Sequence, residues 1–177
     1  MGQAGTVHRF GDDVSTDHIS SGRYRFLARD MTTLASHCLE DLDPEFAKRV
    51  RPGDFVVAGR NFGCGSSREY APRVIQALGL QAVIAPSFAR IFFRNAINIG
   101  LPPVEAATDG IAAGDRLILD LEAGTIQNLT RRTTVACRPY PPVMLAILRD
   151  GGLVPHLRKH GTYRLGAVEA PPMASRV

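Results

Sequence analysis

The sequence predicts an α/β domain, a small parallel or mixed sheet flanked by helices. Three observations point to it. First, Phe55-Val56-Val57-Ala58 is a short apolar run with turn residues on both sides. A helical pattern over 70–78 follows, then a second apolar run, Ala82-Val83-Ile84-Ala85. Strand, turn, helix and strand in that order predict a parallel pair joined by a right-handed crossover. Second, residues 116–121 and 125–129 flank Glu122-Ala123-Gly124, a hairpin signal. Third, 177 residues with 45% hydrophobic and 21% charged side chains suit one packed domain.

The elements read in order as follows. Residues 7–26 begin with a short strand and continue as a polar loop centred on 11–20, where Asp, Ser and Thr favour turns. Leu34, Cys38 and Leu42 recur every four residues and predict a helix over 31–42. Pro44 and Pro52 bracket a second short segment. Pro72 would fall inside a helix begun at Ser67, so an irregular first turn and a regular helix after Ala71 are expected, with Gly79 as its stop. Ser87 is placed to cap a helix over 88–99, with Phe88, Ile91, Phe92, Ala96 and Ile99 on its apolar face and Gly100 at its end. A helix over 142–148 stops at Gly151-Gly152, and 153–160 forms a last short one. The domain spans residues 1–165. Residues 166–177, with two prolines and no pattern, read as a loose tail.

Composition excludes several function classes. No apolar run reaches the roughly 18–20 residues of a membrane helix, so no membrane partner is expected. Residues 1–10 lack the apolar stretch of a signal peptide, which suggests a cytoplasmic chain. The net charge of +4 comes from 21 Lys and Arg against 17 Asp and Glu, without a polybasic block, so nucleic acid is not indicated as a partner. Lys48 and Lys159 are the only lysines. The cysteines Cys38, Cys64 and Cys137 are odd in number and unpaired in spacing, which argues against a disulfide framework and against a zinc or iron–sulfur site within this chain. Cys64 reads as a small packed residue or a partly reactive thiol. His37, His156 and His160 show no partner pattern and read as surface or core residues.

The strongest chemical signal is the turn after the 55–58 strand, Gly63-Cys64-Gly65-Ser66-Ser67-Arg68-Glu69. Gly63 and Gly65 permit positive φ and close backbone approach. Ser66, Ser67 and Arg68 would then lie at a helix N-terminus, offering two hydroxyls, a guanidinium and free amides to a carboxylate or phosphate. Ser66-x-x-Glu69 also reads as a capping box, which leaves Ser67, Arg68 and the glycines unexplained. No lysine follows the glycines, and the third glycine of a dinucleotide fingerprint is missing.

These residues resemble a known family. Gly63 through Glu69 is similar to the signature of the swivelling domain of the aconitase superfamily, a β/β/α unit. The run 85–102 (APSFARIFFRNAINIGLP) and Gly11-Asp12-Asp13-Val14-Ser15-Thr16-Asp17 are similar to its other motifs, in the same order. The length and the Gly151-Gly152-Leu153 ending resemble the free-standing small subunits of 3-isopropylmalate dehydratases.

The resemblance implies a hydro-lyase subunit acting in leucine biosynthesis, active only with a large partner subunit that holds a [4Fe-4S] cluster. No cofactor would be bound by this chain. The substrate would be a hydroxy di- or tricarboxylate. By motif, Ser66 would remove the proton beside a carboxylate, Asp17 would be an active-site aspartate, and Ser67 and Arg68 would hold a substrate carboxylate. A guanidinium and a dry closed site would stabilise the serine alkoxide. The loop holding Arg23, Arg25, Phe26, Leu27 and Arg29 would read the variable group of the substrate. The arginines suit a tricarboxylate such as homoaconitate, and Phe26 and Leu27 suit a branched alkyl group. Thr16-Asp17-His18-Ile19-Ser20 is similar to aconitase itself. Small subunits of homoaconitase or of a dimethylmalate- or citraconate-type hydratase, and a stand-alone anion- or nucleotide-binding module, are the alternative readings.

Overall fold

A computed structural model describes residues 3–25 and 28–162. Strand β1 (Gly5–Arg9) is followed by four short helices, α1 (Thr16–Ile19), α2 (Gly22–Arg25), α3 (Met31–Ala35) and α4 (Phe46–Arg49). Strands and helices then alternate through β2 (Phe55–Val57), α5 (Tyr70–Ala77), β3 (Ala82–Ala85), α6 (Arg90–Ile99) and β4 (Pro103–Glu105). An antiparallel meander, β5 (Arg116–Asp120), β6 (Thr125–Asn128) and β7 (Thr133–Ala136), precedes α7 (Pro142–Arg149) and α8 (Leu153–His160).

All seven strands form one mixed sheet in the order β4-β3-β2-β1-β5-β6-β7. β1 through β4 are parallel, with Val7 against Phe55, Phe55 against Ala82 and Val83 against Pro103. β1 pairs antiparallel with β5. Alternation along the parallel strands sends side chains to two cores. Val56, Val83 and Ala85 meet Leu34, Val74, Phe92 and Ala96 from the helices. Phe55, Val57, Ala82 and Ile84 meet Leu117 and Ile126 from the meander. The sheet therefore curls so that its antiparallel half covers the face away from the helices, which is the β/β/α layering expected. Each fully buried Phe, Val or Ile side chain contributes about 1.5–3 kcal/mol relative to exposure. A smaller cluster of Ile97, Ile147 and Leu148 fastens α7 to α6.

Several expectations are corrected. The polar stretch 11–20 is not all loop. Ser15 caps α1 by accepting the His18 amide at 3.2 Å, and His18 Nδ1 accepts the Ser15 amide at 3.1 Å, a capping box with histidine in the usual Glu position. The helix expected over 31–42 ends at Ala35; turns follow, in which Leu39, at a left-handed φ of 56°, is buried in the core, and Leu42 is exposed. The segment between Pro44 and Pro52 is α4. Helix α6 starts at Arg90, and Ala89 stands before it at the cap position with no side-chain bond to give. Ser87 instead accepts the Asn61 amide at 2.9 Å, and Phe88 forms an isolated bridge with Phe62. Ile91 is 50% exposed and so lies off the apolar face. Strands β4 and β7 are additions to the sequence reading. His156 and His160 do have partners, since both bond Asp150, which also receives Lys159. The hairpin, α7 and α8 stand as expected. The domain end at residue 165 and the tail lie outside the described residues.

Candidate active site

The parallel strands all run the same way, so the loops after β1, β2 and β3 gather at one edge of the sheet. That carboxyl edge is where open α/β sheets place ligands. After β1 the chain enters α1. After β2 it makes the turn through residues 63–68. The two connections are laced together by the Gly63 amide on the Val14 carbonyl at 2.7 Å and the Thr16 amide on the Cys64 carbonyl at 2.8 Å.

The turn holds its shape for a steric reason. Gly63 has φ 78°, and a Cβ there would stand 2.2 Å from Phe92 Cγ. The turn backbone can therefore lie directly on α6. Gly65, at φ 97°, then lifts the chain away from the core, and Ser66 and Ser67 emerge exposed.

Helix α5 begins only at Tyr70, with no side-chain cap from Glu69, so the Ser66–Glu69 capping box does not form. The cause is Pro72. With the helix begun at Tyr70, its missing N–H falls among the first-turn donors that need no helical acceptor. Ser66, Ser67 and Arg68 thus precede the helix instead of forming its first turn. Freed from capping, Ser66 takes another partner. Its amide donates to Thr16 Oγ1 at 3.1 Å, and its Oγ stands 3.2 Å from the same Thr16 oxygen. Thr16 is 1% exposed, so this hydroxyl is a fixed buried group beneath an exposed serine. The amides of Gly65 and Ser67 have no acceptor among the described residues.

Arg68 is half-buried and donates to the Asp17 carboxylate. A Cβ on Gly22, the first residue of α2, would come within 3.9 Å of its Nη2. The guanidinium therefore spans from α1 to the start of α2. Asp17, Ser66, Ser67 and Arg68 are brought together, as the sequence suggests. Thr16 joins them as a residue not singled out from sequence, although it lies inside the 11–17 motif.

The α2 region fits less closely. Arg23 turns to Asp41 and Ser21, with its guanidinium 5.4 Å from the Tyr24 ring centroid. Tyr24 in turn stacks on His37 at 3.7 Å, and His37 bonds Glu40 at 2.6 Å, so His37 is a partnered residue. Arg29 is exposed. The Arg25 side chain, Phe26 and Leu27 lie outside the described residues.

The cysteines are not brought together. Cys38 lies in the helical core and Cys137 in the core under the meander, while Cys64 is half-buried in the turn. Burial raises both the Cys38 and Cys137 thiols above the ordinary value, which disfavours the thiolate that an iron or zinc ion needs. These residues do not fit a cluster of their own. No helix among the described residues is long and apolar enough to cross a membrane.

A mixed sheet with this laced glycine turn at its carboxyl edge defines the swivelling class of aconitase C-terminal domains, and that family's pattern matches residues 30–109. The 3-isopropylmalate dehydratase small subunit 2 of Archaeoglobus fulgidus is 53% identical over 165 residues, covering 93% of this chain and 100% of that protein. The small subunit 1 of Thermotoga maritima is 50% identical over 160 residues, covering 90% and 96%. The methanogen homoaconitase small subunit of Methanothermobacter thermautotrophicus is 54% identical over 155 residues, covering 88% and 90%. The crystal structure of a Methanocaldococcus jannaschii 3-isopropylmalate dehydratase superposes with a TM-score of 0.85 at 48% identity, covering 89% of this chain and 94% of that one. The chain belongs to the family of 3-isopropylmalate dehydratase small subunits.

Proposed function

We propose that this chain is the small subunit of a cytoplasmic 3-isopropylmalate dehydratase, interconverting 2- and 3-isopropylmalate by dehydration and rehydration in leucine biosynthesis. It would act with a large subunit that holds the [4Fe-4S] cluster. The observation that carries the reading is Ser66, exposed at the carboxyl edge, backed by a buried hydroxyl and followed by a partly buried guanidinium.

What the cluster supplies when bound is Lewis-acid activation of the substrate hydroxyl. The residues of this chain do the rest. Ser66 Oγ takes the proton from the carbon beside a carboxylate and returns it in the reverse direction. A serine hydroxyl is far too weak an acid to be ionised unaided, so its alkoxide needs help. Thr16 provides a hydrogen bond to the charged form, and Arg68 provides a nearby positive charge. Closure against the large subunit strengthens both by excluding water. Ser67, Arg68 and the free amides of the turn receive a substrate carboxylate, the guanidinium through its planar fork. Asp17 holds that fork in place.

Reading of the variable group falls to Arg23, Arg25, Phe26, Leu27 and Arg29. Because Asp41 already engages Arg23, one of the three arginines is occupied, which favours the isopropyl group over a tricarboxylate. The homoaconitase reading rests on the Methanothermobacter relative and on the arginines that remain. The binding-module reading loses support because the serines do not sit on a helix N-terminus.

The test is anaerobic co-expression with the large subunit and assay of isopropylmaleate, homoaconitate and citraconate hydration. Activity that needs both chains, prefers isopropylmaleate and falls about 10²- to 10⁴-fold in Ser66→Ala is expected. A Ser66→Ala complex as active as wild type would overturn the role of the serine. A cluster-loaded complex inactive on all three would overturn the enzyme reading.

A further inference from the structure

The carboxyl edge of the sheet does not end at the serine turn. Where the chain leaves the carboxyl end of β3, the start of α6, β4 and the segment 138–144 after β7 line a groove of about 350 Å³. Its floor is apolar, formed by Phe88, Phe93, Tyr140 and Met144. The rings are in mutual contact, Phe88 with Phe93 at 6.1 Å and Phe93 with Tyr140 at 6.4 Å. Tyr140 is fixed by its hydroxyl, which donates to the Pro103 carbonyl at 2.5 Å.

The rim has the opposite character. Arg90 and Arg94 stand one turn apart on α6, exposed, with no hydrogen bond or ion pair among the described residues. Glu105, the one acid lining the groove among the described residues, is already held by Arg138 at 2.8 Å. The rim therefore carries uncompensated positive charge. An apolar floor within a charged rim is the layout of a protein interface.

The groove is also coupled to the catalytic turn. Phe88 packs on Phe62 at 6.0 Å, and Phe62 immediately precedes Gly63, whose backbone rests on Phe92 of the same helix α6. Whatever seats in the groove presses on the helix that supports the turn.

We infer that this groove docks the large subunit, receiving an aromatic or branched apolar side chain flanked by Asp or Glu. The inference rests on the two-subunit reading above. The groove shares the edge that must close over the cluster-bearing partner, its free arginines call for carboxylates, and its floor calls for an apolar anchor. Docking there sets α6, and through Phe92 and Phe62 it sets the height of the serine turn.

The test uses the full chain and a cluster-loaded large subunit, with the dissociation constant measured by titration at low and high salt. Arg90→Glu/Arg94→Glu reverses the rim, and Phe93→Ala/Met144→Ala empties the floor. Arg132→Glu/Arg158→Glu makes the same charge change outside the groove. Folding of each is checked by circular dichroism and thermal unfolding. The rim variant is expected to weaken association about 10- to 100-fold and to flatten its salt dependence, with the control pair near wild type. The floor variant, if folded, should weaken association at both salt concentrations.

Wild-type affinity in both groove variants would overturn this inference while leaving the two-subunit reading intact. Failure of the wild-type chain to bind any large subunit would overturn the reading itself and take the inference with it. Binding of isopropylmalate or inorganic phosphate to the isolated chain, lost in the rim variant while subunit affinity is unchanged, would assign the groove to a small anion instead.

Discussion

Thr16 Oγ1 lies 3.1 Å from the Ser66 amide nitrogen and 3.2 Å from Ser66 Oγ. A hydroxyl that accepts the amide N–H is oriented to donate its own hydrogen to the serine oxygen. That donation favours the alkoxide, the form a base must adopt. Thr16→Val keeps the shape and removes the donor. Loss of a hydrogen bond to a charged group costs about 1.5–3 kcal/mol, so kcat should fall about 10- to 100-fold with KM little changed. The acid limb of the pH–rate profile should move to higher pH, and Thr16→Ser should restore both. Steady-state kinetics of the reconstituted complex check this, and an unaltered kcat in Thr16→Val would count against the alkoxide role.

The Arg68–Asp17 pair predicts a different signature. Lysine at position 68 keeps the charge but loses the fork that grips a carboxylate with two donors. Arg68→Lys should raise KM for isopropylmalate about 10- to 100-fold, through loss of charge-assisted hydrogen bonds. Asp17→Asn should act through the guanidinium and be milder. The double variant should then fall short of the sum of the singles, because both changes act on one interaction. Strict additivity in the double-mutant cycle would show that Asp17 does not act through Arg68.

Gly63 predicts a steric effect. An alanine there adopts an unfavourable φ of 78° and drives its Cβ to 2.2 Å from Phe92 Cγ. The two penalties together should cost about 2–4 kcal/mol of stability and displace Ser66. Phe92→Ala in the same background removes the Cγ and Cδ2 contacts and leaves the one with Cβ at 2.4 Å, so it should recover only part of the loss. Denaturant midpoints give the stability, and activity of the complex gives the displacement. An alanine variant with native stability would mean that the turn is free to move off α6.

The parallel strands and both C-terminal helices were legible because their apolar runs and glycine stops are local signals. Helix starts were less legible. Ser66 and Ser87 both look like caps from sequence, yet Pro72 delays the helix and leaves Ser66 to bond Thr16, while Ser87 is taken by the distant Asn61 amide. Local spacing cannot show such a competition. Leu39 carries no sequence signal for a related reason, since its left-handed turn is accompanied by full burial and is not one its residue type favours. In the site, the 63–69 motif and Asp17 were visible, while Thr16 was hidden because a threonine in a polar stretch has no spacing signature. His18, part of the 16–20 stretch similar to aconitase, has a structural place of its own in the α1 capping box.

The start of β2 carries the last prediction, a dependence on pH. Asp54 is almost buried, and it accepts the His8 imidazole and the Thr6 and Arg51 amides, each at 2.9 Å. Burial alone would raise its carboxyl, but the three donors outweigh burial and hold it below the ordinary 3.8. A carboxyl with a depressed folded value stabilises the fold fully above its unfolded value. That contribution is lost as the pH falls through the folded value. Asp54→Asn places an amide N–H₂ against donors on one side and should cost about 1.5–3 kcal/mol at pH 7. The gap between wild type and variant should then close as the pH falls through and below the ordinary carboxylate range, as the wild-type carboxylate takes up its proton. Urea midpoints across that range read the gap directly. A gap that stayed constant into acid would show that Asp54 is held by packing and not as a charged acceptor.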